Sequence, residues 1–192
     1  MDLEQRLLIQ HTRRQADHVA SWVGKDPRRF RELVRVFLDG DPLLAQRSAW
    51  VVSICADVHP GLLRPYLRRM IDRMLEPGMH DAVRRAVIRA LQTVEIPGTL
   101  LGRVATVCFD QLAAGGTPVA VKSSAMKVLG RIARGRPELG RELALVIEQQ
   151  IPYSSAGFAA CARNVLRTIG DRRRSAPRRP TRKQGEVTGR DS

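Results

Sequence analysis

Val83-Arg84-Arg85-Ala86-Val87-Ile88-Arg89-Ala90-Leu91 is the stretch whose reading decides the fold. Its apolar residues recur at helical spacing, and close copies of its pattern lie on both sides. Gln46–Ile54, Val121–Leu129 and Phe158–Leu166 repeat it at displacements of 37, 38 and 37 residues. Ala49, Ala86, Ser124 and Cys161 form a column of small residues. Ile54, Leu91, Leu129 and Leu166 form a column of large aliphatics, and Arg47, Arg84 and Lys122 share a basic column that Ala159 breaks. Self-similarity at a period near 40 is the mark of a repeat architecture, in which each unit buries its apolar face only against its neighbours.

A second set of columns lies upstream. Phe30, Leu67, Val104 and Leu143 are displaced by 37, 37 and 39 residues. Leu33, Met70, Val107 and Val146 follow, then Val34, Ile71, Cys108 and Ile147, then Leu38, Leu75, Leu112 and Ile151. Within one unit these positions run i, i+3, i+4, i+8, which is one face of a helix and not a strand alternation. Four units of two helices therefore account for residues 27–169. Pro27, Pro60, Pro97 and Pro137 open the first helices, where a missing N–H is harmless. Pro42 and Pro118 open second helices behind Asp41 and Thr117 as expected N-caps.

This pattern resembles a HEAT-type or armadillo-like repeat: two antiparallel helices, with a valine, a basic residue and a small residue in the second. Val83-Arg84-Arg85-Ala86 and Val121-Lys122-Ser123-Ser124 carry the likeness most closely, while Gln46 and Phe158 depart from it at the valine position. Trp22-Val23-Gly24 and His80-Asp81-Ala82-Val83 are similar to stretches of small bacterial chains of this type. The resemblance implies an all-α, right-handed superhelix of about four helix pairs. Residues 2–23 are expected to form one capping helix, so that the solenoid domain is residues 1–170. The remainder, 171–192, holds eight Arg or Lys and a single large aliphatic, Val187, and is expected to be disordered.

Composition narrows the function. Lys and Arg total 33 against 19 Asp and Glu, a net charge of +14, and only four of the 33 are Lys. Aromatics are 4%, which disfavours an RNA reader that stacks bases on exposed rings. Cys55, Cys108 and Cys161 are odd in number and lie in apolar helical stretches, so they read as reduced core thiols. With no basic n-region before an apolar run and no long apolar stretch, the expectation is a cytoplasmic protein without membrane insertion.

Motifs of catalysis are missing. There is no Gly-x-Gly-x-x-Gly, Walker loop or Gly-x-Ser-x-Gly. Ser123-Ser124-Ala125-Met126 is similar to part of the mobile signature loop of the fumarase and aspartase lyases, but Lys122, Lys127, Leu129 and Arg131 break that signature and the periodicity puts the string inside a helix. His11 and His18 are two helical turns apart, too far to share a metal. His80-Asp81 could orient a base, yet it reads first as a helix-terminal hydrogen bond. No enzyme activity, cofactor or metal is expected. Trp22 and Trp50 read as core.

In such solenoids the second helices line the concave, partner-binding side. Removing the buried columns leaves a ridge of Ser48, Arg85, Ser123 and Ala160, then Val52, Arg89, Lys127 and Asn164, then Cys55, Gln92, Gly130 and Arg167. A border column of Val51, Ile88, Met126 and Arg163 runs beside it. The expected function is a non-catalytic scaffold that binds an acidic, partly amphipathic protein segment there. Arg85, Arg89, Lys127, Arg131 and Arg167 would supply charge, and Ile88 and Met126 apolar contact. The alternative is a nucleic-acid binder using the basic surface and tail, with the architecture of the HEAT-like DNA glycosylases. Oligomeric state is not legible.

Overall fold

The structure is a computed structural model that describes residues 2–76 and 78–175. Among these residues it is all helix, with no strand. The helices are α1 (Leu3–Leu8), α2 (Arg13–Val23), α3 (Pro27–Asp39), α4 (Pro42–Val58), α5 (Leu67–Leu75), α6 (Asp81–Ala90), α7 (Leu101–Ala113), α8 (Val119–Ile132), α9 (Pro137–Gln150) and α10 (Ala156–Ser175). Short 3₁₀ segments at Pro60–Tyr66 and Gly98–Leu100 lead into α5 and α7. The expected pairs are therefore α3/α4, α5/α6, α7/α8 and α9/α10.

Local chemistry sets the boundaries. Asp26 and Asp41 each accept two backbone N–H bonds at the starts of α3 and α4, ahead of Pro27 and Pro42 at the first helical position. His80 Nδ1 accepts the Ala82 N–H at 3.1 Å, which starts α6. Thr117 does not cap α8: Pro118 itself holds the extended N-cap conformation, and no side-chain cap bond forms. The N-terminal stretch is two helices and not one. Asp2 and Gln5 form a capping box on α1, and Thr12 restarts the chain by accepting the Gln15 N–H at 3.1 Å. At the other end α10 continues to Ser175, past the boundary expected at Asp171. The disorder expected for the rest of the tail lies outside the described residues.

The first-helix columns are the core. Phe30, Leu67, Val104 and Leu143 are buried, as are Val34, Ile71, Cys108 and Ile147. Val146 and Ile151 are only half-buried, and one position breaks the pattern outright. Leu75 is 49% exposed, and Met74 is buried instead. The 3₁₀ segment ahead of α5 leaves that helix short, so Leu75 falls on its last residue, where the chain turns extended at Glu76.

The second helices α4, α6, α8 and α10 pack directly on one another in a continuous row, with α2 against α4 at the head of it. The first helices touch their neighbours more sparingly, and α5 meets α7 through a much smaller contact. A row of helices spaced more closely than its companion row lies on the inside of the curve. The outer row is linked through side chains. Arg35 in α3 bonds Glu4 in α1 at 3.0 Å, Arg69 in α5 bonds Asp39 in α3, and Arg103 in α7 bonds Asp72 in α5.

Candidate functional site: the second-helix groove

A groove of about 460 Å³ crosses the second helices. Three helices build it, each through residues one turn apart: Ala49, Trp50 and Ser53 from α4, Arg85, Ala86 and Arg89 from α6, and Ala120 and Ser124 from α8. The small-residue column thus lies on the floor of the groove. Ala86 is buried there, while Ser124 is only half-buried, less enclosed than a residue facing solely its own partner helix.

Trp50 supplies the aromatic surface. It is half-buried and lines the groove, so it is not the enclosed core residue its apolar context implied. His11, from the turn between α1 and α2, meets it edge-on with ring centroids 5.5 Å apart and planes at 64°. Trp22 is also only partly enclosed, with the guanidiniums of Arg6 and Arg29 over its ring at 4.7 and 4.6 Å.

The cations differ in their freedom. Arg89 Nη2 bonds Asp57 Oδ2 in α4 at 2.8 Å. Arg85 is exposed and has no ion-paired or hydrogen-bonded partner among the described residues. Arg131 is half-buried, and its Nη2 donates to the carbonyls of Leu91 (2.6 Å) and Val94 (2.8 Å) beyond the end of α6. Burial and, after it, the neighbouring Arg134 hold the Arg131 guanidinium below its ordinary pKa. Lys127 is exposed and unpaired among the described residues, and Arg167 donates to Asn164 Oδ1 at 3.0 Å.

Two expected contact residues are elsewhere. Ile88 and Met126 are fully buried, and so is Val51 of the same column. A second helix is flanked by its own first helix and by second helices on both sides, so its apolar sector is wider than that of a one-sided amphipathic helix. The same packing removes the ridge from the first unit: Ser48, Val52 and Cys55 are buried where α2 covers α4.

A second cleft, of about 420 Å³, lies between α8 and α10. Lys127 and Arg131 line it from α8, Arg134 from the 3₁₀ turn Ala133–Gly135 that follows, and Asn164 and Thr168 from α10. The helices approach closely here: a Cβ on Gly130 would stand 3.1 Å from Val165 Cγ1.

The remaining reactive groups are occupied. Asp81 pairs with Arg84 at 2.6 Å, beside the capping His80. Burial pushes the Cys55 thiol up to about 11 and Cys108 to about 12, away from nucleophilic use. The described residues contain no cluster of His, Cys, Asp or Glu able to hold a metal ion, and no helix among them is long and apolar enough to cross a membrane. The lyase-like Ser123–Met126 string lies inside α8.

The helix pairs recur at the period of a known repeat: a family model described as a HEAT repeat domain matches residues 3–169. The chain belongs to the HEAT repeat family. The match starts in α1, so the HEAT-repeat array takes in the N-terminal helix pair as well as the four units. Comparison with curated proteins and with solved structures gives no match. HEAT repeats are in general non-catalytic scaffolds for protein interaction, and this HEAT-repeat chain presents a groove on its second helices.

Proposed function

We propose that this HEAT-repeat protein is a non-catalytic interaction module that grips an acidic, partly amphipathic protein segment along its second-helix groove. The observation that carries the reading is the groove itself, where Arg85, unpaired among the described residues, and half-buried Trp50 line a floor of small side chains. Small residues let a partner backbone come close. Trp50 takes the apolar role expected of Ile88 and Met126; Arg85 and Arg89 give the charge in the groove, and Lys127 gives it in the neighbouring cleft, with Arg167 on α10. Complementary charge of this kind raises encounter rates and selects partners. On the outer row Arg35, Arg69 and Arg103 are engaged in ion pairs between units.

The test is titration of the protein with a synthetic peptide of Glu and Asp interrupted by Leu, and separately with a random-sequence DNA duplex. Peptide binding is expected, weakened at least about tenfold, about 1.4 kcal/mol, by Arg85→Glu with Lys127→Glu. Trp50→Ser should weaken it at any salt concentration. Duplex binding that persists at physiological salt, falls steeply with log salt and ignores Trp50→Ser would replace this reading with nucleic-acid binding.

A further inference from the structure

We infer that the cleft between α8 and α10 is a subsite for a phosphomonoester dianion, so that phosphorylation of a Ser or Thr in the bound acidic segment strengthens its hold. The phosphopeptide part of this rests on the function proposed above; the anion subsite does not.

Lys127 and Arg131 stand one turn apart at i and i+4 on α8, and the 3₁₀ turn Ala133–Gly135 that follows the helix brings Arg134 to the same cleft. Among the described residues no carboxylate lines it. That contrasts with the outer row, where Arg35, Arg69 and Arg103 each meet an acid of the preceding helix pair. Lys127 and Arg134 are exposed and have no hydrogen-bonded or ion-paired partner among the described residues. Cations at a helix C-terminus complement the backbone dipole, which accounts for Arg131 and Arg134 but not for Lys127, more than a turn earlier.

The third cation is held in place. The carbonyls of Leu91 and Val94 fix one nitrogen of Arg131, so its planar fork is positioned before any ligand arrives. On the opposite wall the Asn164 carbonyl oxygen accepts from Arg167, which leaves its amide NH₂ as a donor. The charge selects among anions. A carboxylate or a phosphodiester brings a single negative charge to three cations, whereas a phosphorylated side chain brings about −1.5 to −2 and three acceptor oxygens.

Amide chemical shifts of the full chain, titrated at constant ionic strength with inorganic phosphate, acetate and dimethyl phosphate, test the subsite. Phosphate should give saturable shifts at Gly130, Arg131, Arg134 and Asn164, with Arg85 unmoved and affinity at least about tenfold above that for the two monoanions. Lys127→Gln with Arg134→Gln should abolish these shifts while leaving the thermal midpoint in place, since both side chains are exposed. Equal response to dimethyl phosphate, shifts spread over all exposed cations, or no saturation would each overturn the subsite. A matched pair of acidic peptides, with and without one phosphoserine, completes the test. A gain on phosphorylation that the double variant loses supports the inference. Peptide binding without such a gain sinks it alone, whereas phosphate binding without any peptide binding sinks the proposed function and leaves the subsite standing.

Discussion

Arg69 near the start of α5 reaches back to the carboxylate of Asp39, the last residue of α3. Its counterparts Arg35 and Arg103 do the same to Glu4 and Asp72, so one device recurs at the three steps from α1 to α7. Arg68 also pairs with Asp72, at 3.8 Å, which makes that carboxylate a shared acceptor.

These pairs are exposed, with side chains about half accessible, so each contributes little in water. Arg69→Ala is expected to lower stability by no more than about 1 kcal/mol. The urea midpoint checks this, and ~1 M salt should erase most of the difference between variant and parent. A larger loss that salt does not touch would mean that Arg69 acts through packing of its stem.

Ile88 and Met126 give a sharper outcome. Both are fully enclosed, so Ile88→Ala and Met126→Ala should each cost about 2–5 kcal/mol through lost transfer energy and a residual cavity. Ser in their place should cost more, by burying a hydroxyl. Chemical denaturation of the two variants decides it; wild-type midpoints would return these residues to the surface.

Arg131 holds the chain end of α6. Arg131→Met keeps an apolar stem but leaves the Leu91 and Val94 carbonyls without their donor, at an expected cost of about 1–3 kcal/mol. Arg131→Lys should recover only part, because an ammonium lacks the fork. Faster hydrogen exchange confined to residues 88–96 in the Met variant would locate the effect.

The thiols set an alkaline limit. Burial raises Cys55 and Cys108 to about 11 and about 12 from an unfolded value of 9.0. Above that unfolded value the denatured chain releases these protons while the native chain keeps them. Stability therefore falls as pH rises from about 9 towards the folded values. Cys108→Ala should flatten the high-pH arm of the denaturation midpoint. A thiol reagent near neutral pH should label half-buried Cys161 first, with Cys55 and Cys108 reacting only as the chain opens.

The helix pairs were readable in the sequence because a one-sided first helix writes its buried face as a clean i, i+3, i+4 pattern, as Phe30, Leu33 and Val34 do. Second helices are covered on several sides, so the same arithmetic left Ile88 and Met126 on an open border that the neighbouring helices close. Trp50 was misplaced for the converse reason. It stands in an apolar run, and whether a ring there is enclosed depends on how far α4 and α6 spread, which is a tertiary quantity. His11 and Gly130 carry no local signal at all, since their neighbours, Trp50 and Val165, are distant in sequence. The break at Thr12 was legible in principle, as a capping threonine three residues before Gln15.

The unequal spacing of the two helix rows has a mechanical meaning. The second helices pack on one another in a continuous row, whereas the first helices meet more sparingly and are bridged at three steps by exposed ion pairs. Bending that parts the first helices should therefore meet less resistance than bending that parts the second helices. The groove lies on the more tightly packed row, so such bending should change its width less than the spacing of the outer helices.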